Sequence, residues 1–374
     1  MVPRFPARRC NRPSALECTQ MTSRERIETV IAGGTPDRTP VLGGWIAVPA
    51  YIQELAGVSE AVYWDDPQAA SIRAYHKLGT DGLLDLFVPL RNDGYRCVDA
   101  DSFRQESSRL PLEAALAEID AMPSPEQVEA GFRFDEEYAS FRDELVRAQA
   151  AAGDMVWMPA QWGAGAGASW YQSLGYENYF CVIGLYEQRA RKLMELGGVW
   201  GRCRSRLIAR AVREGIYPGA VLLGEDICTQ KGPMISPAFL ERYYAPELRR
   251  GLEPLFEAGC RPVWHSDGDV RPLLDMLLDC GVQGFQGFQP ECGLTVEAMA
   301  RRRTRDGKPL LIYGPLSVTT ELPVLSPGEV RERVYRAIDV CRGNADLMLF
   351  VANTINPDVP LDNVRAMYEA VHNP

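Results

Sequence analysis

The sequence predicts a single (β/α)8 barrel. Eight short apolar runs recur along its 374 residues, and amphipathic segments with helix caps separate most of them. The first run, TPVLGGWIAVPA, also lacks the glycine fingerprint of an open dinucleotide-binding sheet. Alternating strand and helix implies parallel strands with right-handed crossovers, and eight such units close on themselves.

The runs are residues 39–44, 82–88, 155–161, 220–227, 261–266, 282–289, 309–314 and 347–353. The chain before them divides at Met21. Residues 1–20 are rich in Arg and Pro and carry no periodic apolar positions, so they are expected to form a disordered tail, or translation starts at Met21. Thr22 or Ser23 then caps the first helix. A helical, acidic insertion over about 90–154 follows the second strand. Ser236-Pro237 opens a helix with Pro at its first position, and Ser326 with Glu329 has capping-box spacing. No internal repeat or low-complexity linker interrupts residues 21–374, which are read as one domain.

Composition narrows the function. A net charge of −10 opposes binding to nucleic acid or anionic membranes, and no apolar run is long enough to span a bilayer. The ten cysteines stand singly, with no CxxC pair, which fits a reducing cytoplasm. The expected partner is a small molecule; any self-association is expected to be a homodimer.

Barrel chemistry sits at the C-terminal strand ends. In order, these ends carry Trp45; Asp85; Gln161 and Trp162, before the run GAGAGAS; Glu225 and Asp226; His265 and Asp267; Gln286, Gln289 and Glu291; Tyr313; and Asn353. His265 is one of three histidines; His76 reads as helix packing or surface and His372 is terminal. His265 and Asp267 are two apart and share a face, so they read as the catalytic pair, an acid–base couple or two ligands of one metal. The bland alternative makes Asp267 the N-cap of DVRPLLDMLL. Glu225 and Asp226 face opposite sides, so at most one enters the mouth. GAGAGAS lacks the Lys-Ser/Thr of a phosphate loop and reads as a substrate loop or tight helix packing. Substrate contacts are expected from Trp45, Gln161, Trp162, Glu225, Asp226, Gln289, Tyr313 and Asn353, with Trp45, Trp162 and Tyr313 as apolar or cation-binding walls.

Several blocks, in one order, resemble the uroporphyrinogen decarboxylase superfamily. They are MTSRERIETVIAGGTPDRTPV, KLGTDGLLDLF, GEDICTQKGPMISPAFLERYYAPEL, VWHSDGDVRPLLDMLLDCGVQGFQGFQPE and PLDNVRAMYEAV. The resemblance implies a (β/α)8 barrel and either decarboxylation or methyl transfer linked to a corrinoid or a thiol. True uroporphyrinogen decarboxylases hold substrate carboxylates with an arginine-rich segment after the first strand; here LGGWIAVPAYIQEL has no arginine. The methyltransferase branch binds zinc through His-x-Cys and a later Cys. Carried over, His265 keeps the histidine, Asp267 replaces the first cysteine, Asn353 falls at the second, and Gln289 falls near a carboxylate ligand of some relatives. The resemblance therefore leads to a methyltransferase-like enzyme with Zn2+ or another divalent metal at His265 and Asp267, or with none. Its corrinoid would ride on a separate protein. A decarboxylase of a porphyrinogen or smaller acid, and a non-catalytic binding barrel with an eroded metal site, remain as alternatives.

Overall fold

A computed structural model describes residues 20–88, 110–287 and 289–372. Each apolar run contains a strand. These are β1 (Leu42–Gly43), β2 (Gly82–Leu83), β3 (Val156–Trp157), β4 (Ala220–Gly224), β7 (Arg261–His265), β8 (Gly284–Gln286), β9 (Leu311–Leu316) and β10 (Asp346–Val351). A hairpin of β5 (Cys228–Thr229) and β6 (Gly232–Pro233) follows β4.

The eight long-range strands are all parallel and lie in two sheets, β1-β2-β3 and β10-β9-β8-β7-β4. A parallel bridge from Val41 to Leu349 joins β1 to β10. On the other flank, one hydrogen bond from Gln161 N–H to Leu222 O (2.7 Å) stands between β3 and β4. Strand number, order and direction thus agree with the expected barrel, while the ladder among the described residues is not continuous between β3 and β4. β3 is two residues long, and Pro159 follows it without an N–H to donate.

Alternate residues of each strand pack on opposite sides. Val221, Leu223 and Trp264 pack outward with the helices, while Leu222, Val263, Leu311 and Tyr313 share the inner cluster. β4 and β7 are buried on both faces, so they read as continuous apolar runs. Outside, the helix Glu187–Arg213 packs against Ala245–Glu257. The expected insertion contains the helices Leu112–Ala121, Pro125–Gly131 and Phe134–Ala152; residues 89–109 of it lie outside the described residues, as does most of the expected tail. Thr22 caps the first helix, Ser23–Ile31, with Glu25 completing a capping box, and Ser326 with Glu329 does the same for Pro327–Cys341.

At the N-terminal ends of the strands every buried carboxylate has a cationic partner. Asp81, fully buried, accepts from Arg26 (2.6 Å), from Arg38 (2.6 and 3.0 Å) and from Val41 N–H (2.9 Å). Arg26 also holds Asp37 (2.6 and 2.8 Å), and Arg261 holds Asp346 (2.7 Å).

Candidate metal centre

His265 closes β7 in the inward phase of Val263, between Gly224 of β4 and Gln286 of β8 in the strand register. Beyond Gly224 the chain turns. Glu225 N–H bonds to the His265 carbonyl (3.0 Å), and Asp226 Oδ1 comes to 3.4 Å from His265 Nε2. Asp267 Oδ1 lies 3.9 Å from the same nitrogen. One ligand atom from each of Asp226, His265 and Asp267 lies within 4.8 Å of the others.

The imidazole is held in one tautomer. Gln286 donates both amide hydrogens, to Val351 O (2.8 Å) and Ala352 O (2.9 Å), so its Oε1 can only accept. That oxygen meets His265 Nδ1, which therefore carries the proton. In the neutral ring, Nε2 then turns a lone pair toward two carboxylates. The carboxylates are themselves oriented. Asp226 Oδ1 accepts Asp267 N–H (3.1 Å), and Asn353 Nδ2 donates to Asp267 Oδ2 (2.7 Å). Asp267 Oδ1 is buried with no hydrogen-bond partner.

Electrostatics reflect this crowding. Burial pushes Asp267 above the usual carboxylate range, against the attraction of His265. Burial also opposes ionisation of Asp226, but its bond to His265 and the charge there hold it below that range. For His265, burial disfavours the cation, yet the Asp226 hydrogen bond and both aspartate charges raise its pKa overall.

An aromatic wall stands beside the ring. Trp45 is buried, donates Nε1–H to Leu84 O, and contacts Phe87 (centroids 5.4 Å apart), Trp162 (6.3 Å) and His265 (6.2 Å). Trp162 lies 5.3 Å from His265, ring to ring. Trp162 and Phe87 are 40% and 42% exposed, so their faces are open to a ligand.

The remaining expected site residues divide. Tyr313 shares the inward phase of Leu311, is fully buried within the inner cluster, and burial pushes its hydroxyl pKa up. Glu225 is buried, not at the mouth. It accepts Ser169 N–H (3.0 Å) and the Ser169 hydroxyl, and burial pushes its pKa up to about 7. Asn353 and Gln289 hold the His265 loop: Gln289 Oε1 accepts Gly268 N–H (2.6 Å). Gln161 is buried, with Oε1 unpartnered. Asp85 sits at the end of β2 in a left-handed backbone (φ 63°), accepts Ala160 N–H (3.3 Å), and is pushed by burial to about 6. The helix-cap alternative for Asp267 falls to Asp269, whose Oδ1 accepts Arg271 N–H (3.1 Å).

Gln286 was named at a strand end but given no role, and Phe87 and Ser169 were not among the expected site residues. Gln286 follows from register, since it pairs with His265 across β7 and β8. Nothing in the sequence marks Phe87 or Ser169. The GAGAGAS backbone lies close against glycines of two helices: a Cβ at Gly251 or Gly201 would overlap the Gly165 carbonyl, and one at Gly197 would overlap Gly167.

The fold is a parallel α/β fold, and a cluster that could hold a metal ion lies at the C-terminal strand ends. The comparisons make this specific. Residues 202–374, a little under half of the chain, match the family model of uroporphyrinogen decarboxylase (URO-D), so the resemblance seen in the sequence holds. A solved methyltransferase from Methanosarcina mazei shares the fold, with 13% identity and a TM-score of 0.60, over 94% of this chain and 98% of that one. No curated protein matches.

Proposed function

We propose that this protein is a metal-dependent, methyltransferase-like enzyme. It would remove a methyl group from a small methylated substrate and pass it to a thiol or to a corrinoid on a separate protein. The observation that carries the reading is the Asp226–His265–Asp267 cluster, supported by the name of the Methanosarcina neighbour. The residues fit a divalent ion. An ion about 2.1 Å from each ligand spreads adjacent ligand atoms roughly 3 to 3.5 Å apart; the 3.4 Å separation of His265 and Asp226 falls in that range, and Asp267, at 3.9 Å, would move inward to join them. The buried, partnerless Asp267 oxygen and the Nε2 lone pair are what such an ion would satisfy.

A bound ion would supply Lewis acidity. The protein's own residues do the rest. Gln286 fixes the His265 tautomer, and Asn353 turns Asp267 so that Oδ1 faces the cluster. Trp45, Phe87 and Trp162 take the apolar body of the substrate and exclude water. Closure of the two sheets into one eight-stranded barrel, and a cytoplasmic setting for the thiols, belong to the same proposal. No described helix is long and apolar enough to cross a membrane.

The test is metal content and turnover of the purified protein. About one equivalent of divalent metal, lost in His265→Ala, together with methyl transfer to a thiol or to a reduced corrinoid, supports the reading. Wild-type protein that retains no metal sinks it. Asp85 favours a second reading, decarboxylation of a small acid, because it is a buried carboxyl with a raised pKa on strained backbone. Carbon dioxide release that disappears in Asp85→Asn would favour it.

A further inference from the structure

We infer that the site takes a ligand with two neighbouring oxygens on an apolar body, such as a vicinal diol, a catechol or their methyl ethers. This inference rests on the metal-site reading above. Among the described residues no cysteine sulfur joins the three ligand atoms; the set is one imidazole nitrogen and two carboxylate oxygens. Such ligands suit oxygen-preferring ions, which favour six-coordination over the closed tetrahedron of a thiolate site. Three protein ligands would leave a six-coordinate ion with further positions for a ligand. Two adjacent oxygens of one molecule can fill two of them.

The surroundings select the rest of that molecule. The open faces of Trp162 and Phe87 stand beside His265 and suit a flat, apolar body. Among the described residues, two carboxylates, Asp226 and Asp267, flank the single imidazole, which disfavours a polycarboxylate. A neutral or weakly acidic oxygen pair is accepted more readily than a multiply charged acid.

The experiment uses the full chain loaded with cobalt(II), read by its visible spectrum. The expected spectrum is weak, as for five or six oxygen and nitrogen ligands. Added 4-nitrocatechol should shift its own absorption on binding, at least about tenfold more tightly than 4-nitrophenol, which offers one oxygen. Asp267→Asn should abolish the shift. An intense four-coordinate spectrum, equal binding of the two probes, or a sulfur-to-cobalt band with 2-mercaptoethanol where nitrocatechol gives no shift would each overturn the inference while leaving the metal site standing. Failure of the wild-type chain to bind cobalt overturns the metal-site reading itself, and this inference with it.

Discussion

The two ends of the strands treat buried charge in opposite ways. At the N-terminal end, Asp81 is enclosed by Arg26, Arg38 and a backbone N–H, and Asp346 is matched by Arg261. At the C-terminal end, Asp226 and Asp267 share one imidazole, and one oxygen of Asp267 has no partner. Both ends carry carboxylates beside the inner core, but only one is complete without help. Complete pairing makes a frame. Incomplete pairing leaves room for a cation, the partner proposed above.

The largest effect should come from breaking the complete end. Asp81→Ala leaves two guanidiniums without their shared carboxylate and should cost about 3 to 5 kcal/mol in denaturant unfolding. A loss below about 1 kcal/mol would remove the distinction between the two ends.

Acid should erode the same end next. Arg26 and the backbone N–H groups of Met21 and Arg38 hold the Asp37 carboxyl down at about 2. Because the folded pKa lies below the unfolded one, this stabilisation is present above about pH 4 and lost as pH falls through about 2. Unfolding free energies between those values should drop on the order of 1 kcal/mol more steeply for wild type than for Asp37→Asn. Equal slopes would show that the pair contributes nothing.

At the incomplete end, changes should move ligand binding more than stability. Asn353→Ala frees Asp267 Oδ2 and should weaken metal binding about 10- to 100-fold, with little change in melting temperature. Unchanged affinity, measured by chelator competition, would mean that Asn353 does not orient Asp267.

The smallest effect has the opposite sign. Burial raises the Asp267 pKa, so its ionised form at neutral pH costs stability in the metal-free protein. Asp267→Asn should therefore stabilise the metal-free chain slightly, on the order of 0.5 kcal/mol after solvent screening, while abolishing metal binding. Destabilisation would place Asp267 with the frame.

The strands were legible in the sequence because runs such as AVLLG and RPVWH are buried on both faces, and burial on both faces writes an unbroken apolar signal. His265 and Asp267 were legible because they sit two apart at a strand end. Asp226 was named, but only as one of two neighbours, since the turn after Gly224 decides which side chain reaches the imidazole. Gln286 became part of the site through its register with His265, a relation between distant residues that local pattern does not carry. Tyr313 was legible as inward-facing but not as fully buried, because alternation gives the face of a strand and says nothing of what covers it.

The glycine contacts behind the mouth have a consequence for how a ligand enters. Gly165 meets Gly201 and Gly251 backbone to backbone, and Gly167 meets Gly197, so the segment after Trp162 is bolted to two helices. Ser169 is fastened to Glu225 as well, and Tyr171 to the Asp226 carbonyl. This side of the entrance cannot swing without parting the Glu187–Arg213 and Ala245–Glu257 helices. What stays free to turn on this wall is the half-exposed side chains of Trp162 and Phe87, set on a fixed backbone like shutters in a stone frame.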